Sequence, residues 1–251
     1  MGADGRELKG GIRSAWSRNR FGGWTPGWLR TGNSGPSTWV LSDNTSDEMH
    51  PSERRKDDRV AMTLHEHYTP GPAGGARIRK DGEKWTLILV RQLRHSPEKV
   101  WQALTDPAHL RQWAPFDADG SLATVGTTVK LTTVGAPTPH VSETTVTRAD
   151  ARKVLEYNWG DGEVRWELEA IGGGTRLTLW TNIDRRFISM GAAGWHICFD
   201  VLDHLLGGTP IGRIVGPEAM KFSGWQRLNA EYAQQFGTET PNGPPPAAPM
   251  P

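Results

Sequence analysis

The feature that most constrains the fold is a series of short segments, before residue 184, that alternate apolar and polar residues. In LEYNW and VRWELEA every second residue is apolar, and most residues between them are charged. The apolar residues that share a face are Leu155, Tyr157, Trp159, Val164, Trp166 and Leu168. Gly160, Gly162 and the glycine run 172–174 suit the hairpin turns between these segments. One apolar and one polar face is typical of an antiparallel sheet covered on one side. The sequence therefore predicts such a sheet, with helices over its apolar face.

The remaining elements follow from periodicity and from helix-start signals. Strands are predicted at 84–93 and near 115–118, 126–133, 139–149, 152–160, 163–171 and 175–184. Ser96-Pro97 and Asp106-Pro107 each join an N-cap side chain to a proline at the first helical position. Two short helices are therefore expected after the first strand. A helix at about 189–206 is long enough to cross the sheet, and a last helix is expected at 220–236.

The two ends of the chain lack this periodicity. Residues 1–82 are rich in glycine, proline and charge, and such segments bury too little apolar surface to offset chain entropy. They are predicted to be a disordered extension. Two alternatives stay open: an over-long gene model whose translation starts at Met49 or Met62, or a segment that docks on a partner through its tryptophans. Residues 238–251 are predicted to be a disordered proline-rich tail.

Composition narrows the classes of function. A formal charge of +1 predicts no attraction to nucleic acid or to an anionic membrane. A single cysteine, Cys198, excludes an internal disulfide and suits a reducing compartment. No apolar run approaches the length of a membrane span, and the first residues lack the apolar core of a secretory signal. We expect a cytoplasmic protein, a monomer or homodimer, with no cofactor.

The stretch GWHICFDVLDHLLGG is the strongest candidate for chemistry. His196, Asp200 and His204 recur at four-residue spacing, so a helix places them on one side. A metal site, a proton relay and a solvated helix face all fit that spacing. A metal site needs further ligands and an organised surrounding shell, so the solvated face is favoured, with no metal and no catalytic residue assigned. The opposite side of the helix, with Trp195 and Phe199, is expected to cover the sheet.

Three motifs together resemble one known family. They are HSPEKVWQALTDPAHLRQW, the hairpin GGGTRLTL, and GWHICFDVLDHLL followed by a closing helix. Over residues 83–237 the chain resembles the activator-of-heat-shock-protein-90-ATPase C-terminal-like branch of the START/SRPBCC superfamily. The resemblance implies an α+β helix-grip (START/Bet v-like) fold. In this fold a curved antiparallel sheet of six to seven strands wraps a long C-terminal helix, and two short helices follow the first strand.

What the resemblance implies for function is broader, because members include chaperone ATPase activators, binders of lipid or aromatic ligands and polyketide cyclases. The eukaryotic activators carry a charged, folded N-terminal domain, and residues 1–80 do not look like one. The main hypothesis is a non-enzymatic domain that binds a small hydrophobic molecule or a protein partner in a cavity between sheet and helix. The alternatives are a co-chaperone of a heat-shock-protein-90-type ATPase, with a part in stress response, and a cyclase-like enzyme.

The expected cavity would be lined by large aromatic and aliphatic residues. The predicted ligand-cavity residues are Trp113, Phe116, Tyr157, Trp159, Trp166, Phe199 and Leu202. Such a lining suits a planar apolar ligand, with the Tyr157 hydroxyl and the indole N–H groups as polar contacts. The alternative is that these side chains fill the space themselves and leave no cavity.

Overall fold

Two antiparallel sheets and two layers of helix build the protein, as seen in a computed structural model that describes residues 67–135 and 140–240. The strands are β1 (Ala76–Asp81), β2 (Lys84–Leu93), β3 (Phe116–Ala118), β4 (Thr128–Thr133), β5 (Val141–Thr145), β6 (Arg148–Asp150), β7 (Val154–Trp159), β8 (Gly162–Ile171) and β9 (Gly174–Asn182). The helices are α1 (Pro97–Thr105), α2 (Pro107–Trp113), α3 (Ile188–Leu206), α4 (Gly216–Lys221) and α5 (Ser223–Phe236), with a 3-10 turn at Arg185–Phe187 before α3. The large sheet has six strands in the order β1-β2-β9-β8-β7-β6, and β3-β4-β5 form a second sheet.

This architecture confirms the α+β helix-grip fold, with a long helix packed on the sheet and two short helices early in the chain. The short helices begin where the sequence predicts. The Asp106 side chain accepts hydrogen bonds from the backbone N–H groups of Ala108 and His109, at 2.7 and 3.3 Å, and so caps α2. Ser96 accepts from the N–H of Lys99 at 3.4 Å and caps α1.

Strand β1 is the main correction to the predicted strand order. It lies inside the segment 1–82 that was predicted to be disordered, of which residues 1–66 lie outside the described part of the chain, and it pairs with β2 from Ala76↔Leu89 to Asp81↔Lys84. The two short helices therefore follow the second described strand, and the folded part begins before residue 83. The sequence ARIRKD was not recognised as a strand because most of its side chains are charged. They are tolerated because β1 is an edge strand, where charged side chains reach water. The strand predicted at 139–149 is also divided, into β5 and β6, which belong to different sheets.

Helix α3 lies between the sheet and α5, in contact with β2 on one side and α5 on the other. Its buried residues therefore occur all around the helix, and His196 is only 2% exposed. The predicted solvated face is wrong for His196, because α5 covers that side. No helix in the described part of the chain is both long enough and apolar enough to cross a membrane.

Candidate functional site

The seven predicted cavity residues meet in the core between α3 and the sheet. Six of them are buried, and Trp159 is half-buried at one end of the group. They come from α2, β3, β7, β8 and α3, so residues distant in sequence converge on one place. Together with Trp195 of α3, we call these residues the aromatic cluster.

Rings of the aromatic cluster touch one another, the tryptophan pairs edge to face and Trp166 against Phe199 at a tilt of 39°. The centroid of Trp166 lies 5.9 Å from that of Trp113, 5.6 Å from that of Trp195 and 5.8 Å from that of Phe199. Trp195 also contacts Trp159, with centroids 5.9 Å apart and planes at 80°. These are the distances and angles that aromatic side chains prefer in packed cores. The rings therefore fill much of the space that a ligand was predicted to occupy.

Polar atoms of the aromatic cluster already have partners within the protein. The Trp166 indole N–H donates to the Tyr157 hydroxyl at 3.1 Å, and the Trp113 N–H donates to the carbonyl of Ala103 at 2.9 Å. Burial raises the pKa of Tyr157 above its ordinary value, so the hydroxyl stays protonated. Tyr157 is the one titratable group among the seven predicted residues.

A groove of about 710 Å³ lies on the opposite face of the large sheet, around Trp180. Its lining includes Arg79, Glu156, Asn158, Arg165, Trp180 and Asn182. The Trp180 N–H donates to a Glu167 carboxylate oxygen at 3.1 Å, and the guanidinium carbons of Arg77 and Arg79 lie 5.7 and 5.2 Å from its ring centroid. We call this concave surface the Trp180 groove. It was not among the predicted sites, although the alternation in TRLTLWTNI places a large aromatic residue on the polar face.

Charges along the Trp180 groove divide into paired and unpaired groups. Arg165 donates to Glu156 at 2.7 Å and to Glu167 at 2.8 Å, so its charge is neutralised within the sheet. Arg77 and Arg79 make no ion pair with any residue of the described ranges. Both side chains are exposed, so their positive charge is available to a carboxylate from outside.

The GWHICFDVLDHLLGG motif forms part of a polar network on the α5 side of α3. His196 Nδ1 lies 2.8 Å from the Tyr232 hydroxyl, and its Nε2 lies 3.6 Å from Asp200 Oδ2. Asp200 also pairs with Arg91 at 2.9 Å and accepts a 2.6 Å hydrogen bond from the Tyr68 hydroxyl. Burial lowers the pKa of His196 to about 4, so the imidazole is neutral near pH 7. The network links Tyr68, β2, α3 and α5.

The rest of the motif lies apart from the polar network. His204 is half-buried and lies 3.4 Å from the Thr209 hydroxyl, apart from the network. Within the described ranges, no three His, Cys, Asp or Glu side chains are placed to share a metal ion. Cys198 is buried, which raises the pKa of its thiol to about 12 and makes it unreactive.

Residues 94–207 match the family model described as Activator of Hsp90 ATPase homolog 1-like protein. This stretch is a domain of that family. None of the curated proteins compared with the chain matches it.

Several solved structures are similar to this chain. Protein MLL2253 from Mesorhizobium loti is 27% identical, with a TM-score of 0.44, over 49% of this chain and 98% of that one. CalU16 from Micromonospora echinospora is 21% identical, with a TM-score of 0.46, over 66% of this chain and 98% of that one. EF2215 from Enterococcus faecalis, titled a conserved protein of unknown function, is 15% identical, with a TM-score of 0.48, over 72% of this chain and 96% of that one.

The Activator of Hsp90 ATPase homolog 1-like domain contains the aromatic cluster and Trp180, since both lie within residues 94–207. Tyr68, β1 and α5 lie outside that range. The polar network is therefore built partly by the matched domain and partly by the segments before and after it.

Proposed function

We propose that this chain is a non-enzymatic helix-grip binding domain that recognises a partner protein at the Trp180 groove. The observation that carries the proposal is the half-buried Trp180 beneath two arginines that no carboxylate of the described residues neutralises. Tryptophan and arginine are the residues most enriched among the energetic hot spots of protein interfaces. The cytoplasm is the proposed compartment, because a single cysteine suits a reducing environment.

The two arginines beside Trp180 favour a partner that places an acidic side chain next to them, although the groove lining also carries carboxylates of its own. A carboxylate beside Arg77 and Arg79 would form charge-assisted hydrogen bonds, and Asn158 and Asn182 offer amide groups nearby. The Lys84–Glu163 pair at the rim has both side chains about 70% exposed, so it contributes little energy by itself. Binding energy should therefore concentrate at Trp180 and the two arginines.

Site-specific photo-crosslinking in cells tests this proposal. A photoreactive phenylalanine analogue replaces Asn158, an exposed residue of the groove lining, in one variant and Val125 in the control, since Val125 is 58% exposed and lies outside the groove. Trp180 is thereby kept, and we expect a protein adduct from position 158 and none from position 125. Equal labelling at both positions, or none at either, would contradict a partner site in the groove.

A co-chaperone role is the second candidate, and the family match to residues 94–207 favours it. In that role the domain would stimulate a heat-shock-protein-90-type ATPase by surface contact. The test is the turnover of the source organism's own chaperone with added wild-type protein and with Trp180→Ala. Unchanged turnover at saturating wild-type protein would exclude a co-chaperone role. Equal stimulation by Trp180→Ala would show that the stimulation does not depend on the Trp180 groove.

A small aromatic ligand in the aromatic cluster is the third candidate. Trp159 favours it, since this half-buried residue connects the buried rings to the surface. Native mass spectrometry of protein purified from its own source would detect a carried molecule. A single bound species whose mass is lost in Trp159→Ala would support this site, whereas bare protein supports the groove instead.

A further inference from the structure

A short segment without helix or strand, residues 68–75, lies along α5 and is held there by polar contacts and by the side chains of Tyr68 and Pro70. We call this segment, YTPGPAGG, the strap. It forms no helix or strand, and Pro70 is its one buried residue. A segment with little burial and no regular structure belongs to the less stable part of a fold. Its attachment to α5 therefore depends on specific hydrogen bonds and on the side chains of Tyr68 and Pro70.

The middle of the strap is bound through its backbone by two α5 side chains. Arg227 donates to the carbonyl oxygens of Pro70 and Gly71, the latter at 3.1 Å. Glu231 accepts a hydrogen bond from the N–H of Ala73 at 2.7 Å. Arg227 also donates to Glu231 at 2.8 Å, which fixes both side chains in position.

Backbone recognition continues along the same face of α5. The Tyr232 hydroxyl lies 3.3 Å from the N–H of Gly74 and donates to its carbonyl at 3.0 Å. Gln235 donates to the carbonyl of Ala76 at 2.7 Å, where the strap enters β1. Because these hydrogen bonds are made to main-chain atoms, the same helix face can bind another peptide in the same way.

Two positions of the strap are recognised through their side chains. The Tyr68 hydroxyl donates to Asp200, and its ring stacks on Phe222 with centroids 5.9 Å apart and planes at 18°. Pro70 packs against Gly224, where an added Cβ would lie 2.6 Å from the proline ring. The site therefore selects a tyrosine followed two residues later by a proline.

We propose that this face of α5, together with Asp200 and Phe222, is a peptide-binding site that the strap occupies in cis. Its ligand in trans is a segment of a partner protein with a Tyr-x-Pro pattern. Arg91 holds the Asp200 carboxylate at 2.9 Å, so the tyrosine-binding oxygen is positioned in advance. This site is separate from the Trp180 groove, and its occupation by the strap keeps it closed until a competitor displaces the strap.

The strap competes as a tethered ligand, at an effective concentration on the order of millimolar. A variant with a weakened strap should therefore bind an added peptide more tightly than the wild-type chain does. The probe is a fluorescein-labelled peptide of residues 67–76, HYTPGPAGGA, and binding is followed by fluorescence anisotropy with the full-length chain. Tyr68→Ala and the milder Tyr68→Phe weaken the strap and leave α5 unchanged.

We expect the apparent Kd of the peptide to fall by about tenfold in Tyr68→Phe, the usual effect of one lost hydrogen bond to a charged group, and further in Tyr68→Ala. Adding Arg227→Ala to Tyr68→Ala should abolish the gain, and a scrambled peptide should not bind. Circular dichroism checks that each variant is folded, and Tyr68→Phe keeps the test valid if Tyr68→Ala is not. Equal peptide affinity in wild type and Tyr68→Phe, or unaltered binding after Arg227→Ala, would overturn the proposal.

Discussion

His196 of α3 and Tyr232 of α5 meet through a hydrogen bond, with 2.8 Å between Nδ1 and the hydroxyl oxygen. The two residues are 2% and 0% exposed, so the contact is sealed from water. This bond connects α3, which covers the sheet, to α5, which packs on the side of α3 that faces away from the sheet. His196, which the sequence offered as a possible metal ligand, therefore has a structural contact. The free energy of unfolding depends on whether its imidazole is charged.

Acid should weaken the fold through His196. Its pKa is lowered from 6.5 to about 4 by burial, so between these values the unfolded chain binds a proton that the folded chain does not. The stabilisation is complete above pH 6.5 and is lost progressively as pH falls toward 4, by up to about 3 kcal/mol. Urea unfolding at pH 7.5 and at pH 4.5 measures this loss, and His196→Gln should show a smaller one. An identical pH dependence in the variant would assign the acid effect to other groups.

The two histidines of the motif should respond differently to alanine substitution. His196→Ala removes a buried hydrogen-bond partner of Tyr232 and leaves a cavity, so we expect a loss of about 2–3 kcal/mol in the free energy of unfolding. His204→Ala, at a half-buried site, should change it by about 0.5 kcal/mol or less. Equal effects would contradict the separate positions of the two side chains.

Trp166 and Trp180 offer a second matched pair, one in the core and one on the outer face of the sheet. Trp166→Ala should cost about 3–5 kcal/mol, because the ring packs against three others and is 1% exposed. Trp180→Ala should cost about 1 kcal/mol and leave the fold intact. Thermal and urea unfolding give both values, and a large loss in Trp180→Ala would assign that residue a structural role instead of a binding one.

The glycine run 172–174 should tolerate substitution at one end only. A Cβ on Gly174 would lie 2.0 Å from the carbonyl oxygen of Leu93, because β9 begins here against β2, whereas nothing lies within 4 Å of a Cβ on Gly172. Gly174→Ala should therefore lose about 2 kcal/mol or more, and Gly172→Ala should be close to neutral. Differential scanning calorimetry measures the Tm of both variants. Equal Tm values would contradict the close approach of Gly174 to the Leu93 carbonyl oxygen.

The starting residue of the folded part can be tested by truncation. A chain that begins at residue 83 lacks β1 and the strap, and so loses the Ala76–Asp81 pairing with β2 and the Tyr68–Asp200 hydrogen bond. We expect it to be less stable than a chain beginning at residue 67 by about 3 kcal/mol or more. Equal midpoints of urea unfolding would restore the boundary predicted from the sequence.

Alternation and helix-start signals were enough to predict the sheet, α1, α2 and α3, because each of these signals is local. Leu155, Tyr157 and Trp166 face the core for the reason the sequence indicates: a strand turns successive side chains to opposite faces. The same alternation placed Trp180 on the polar face. These features depend on residues only a few positions apart.

Only the tertiary structure decided which polar surfaces stay in water. His196 lies on the polar side of its own helix, yet it is buried because Tyr232, which is distant in the sequence, packs against it. The sequence ARIRKD by itself indicates solvated coil, and it forms a strand because β2 provides its hydrogen-bond partners. The Trp180 groove and the strap site likewise arise from side chains of separate elements. Hydrophobic periodicity reports the preference of a segment, whereas burial is set by what packs against it, and that depends on the whole chain.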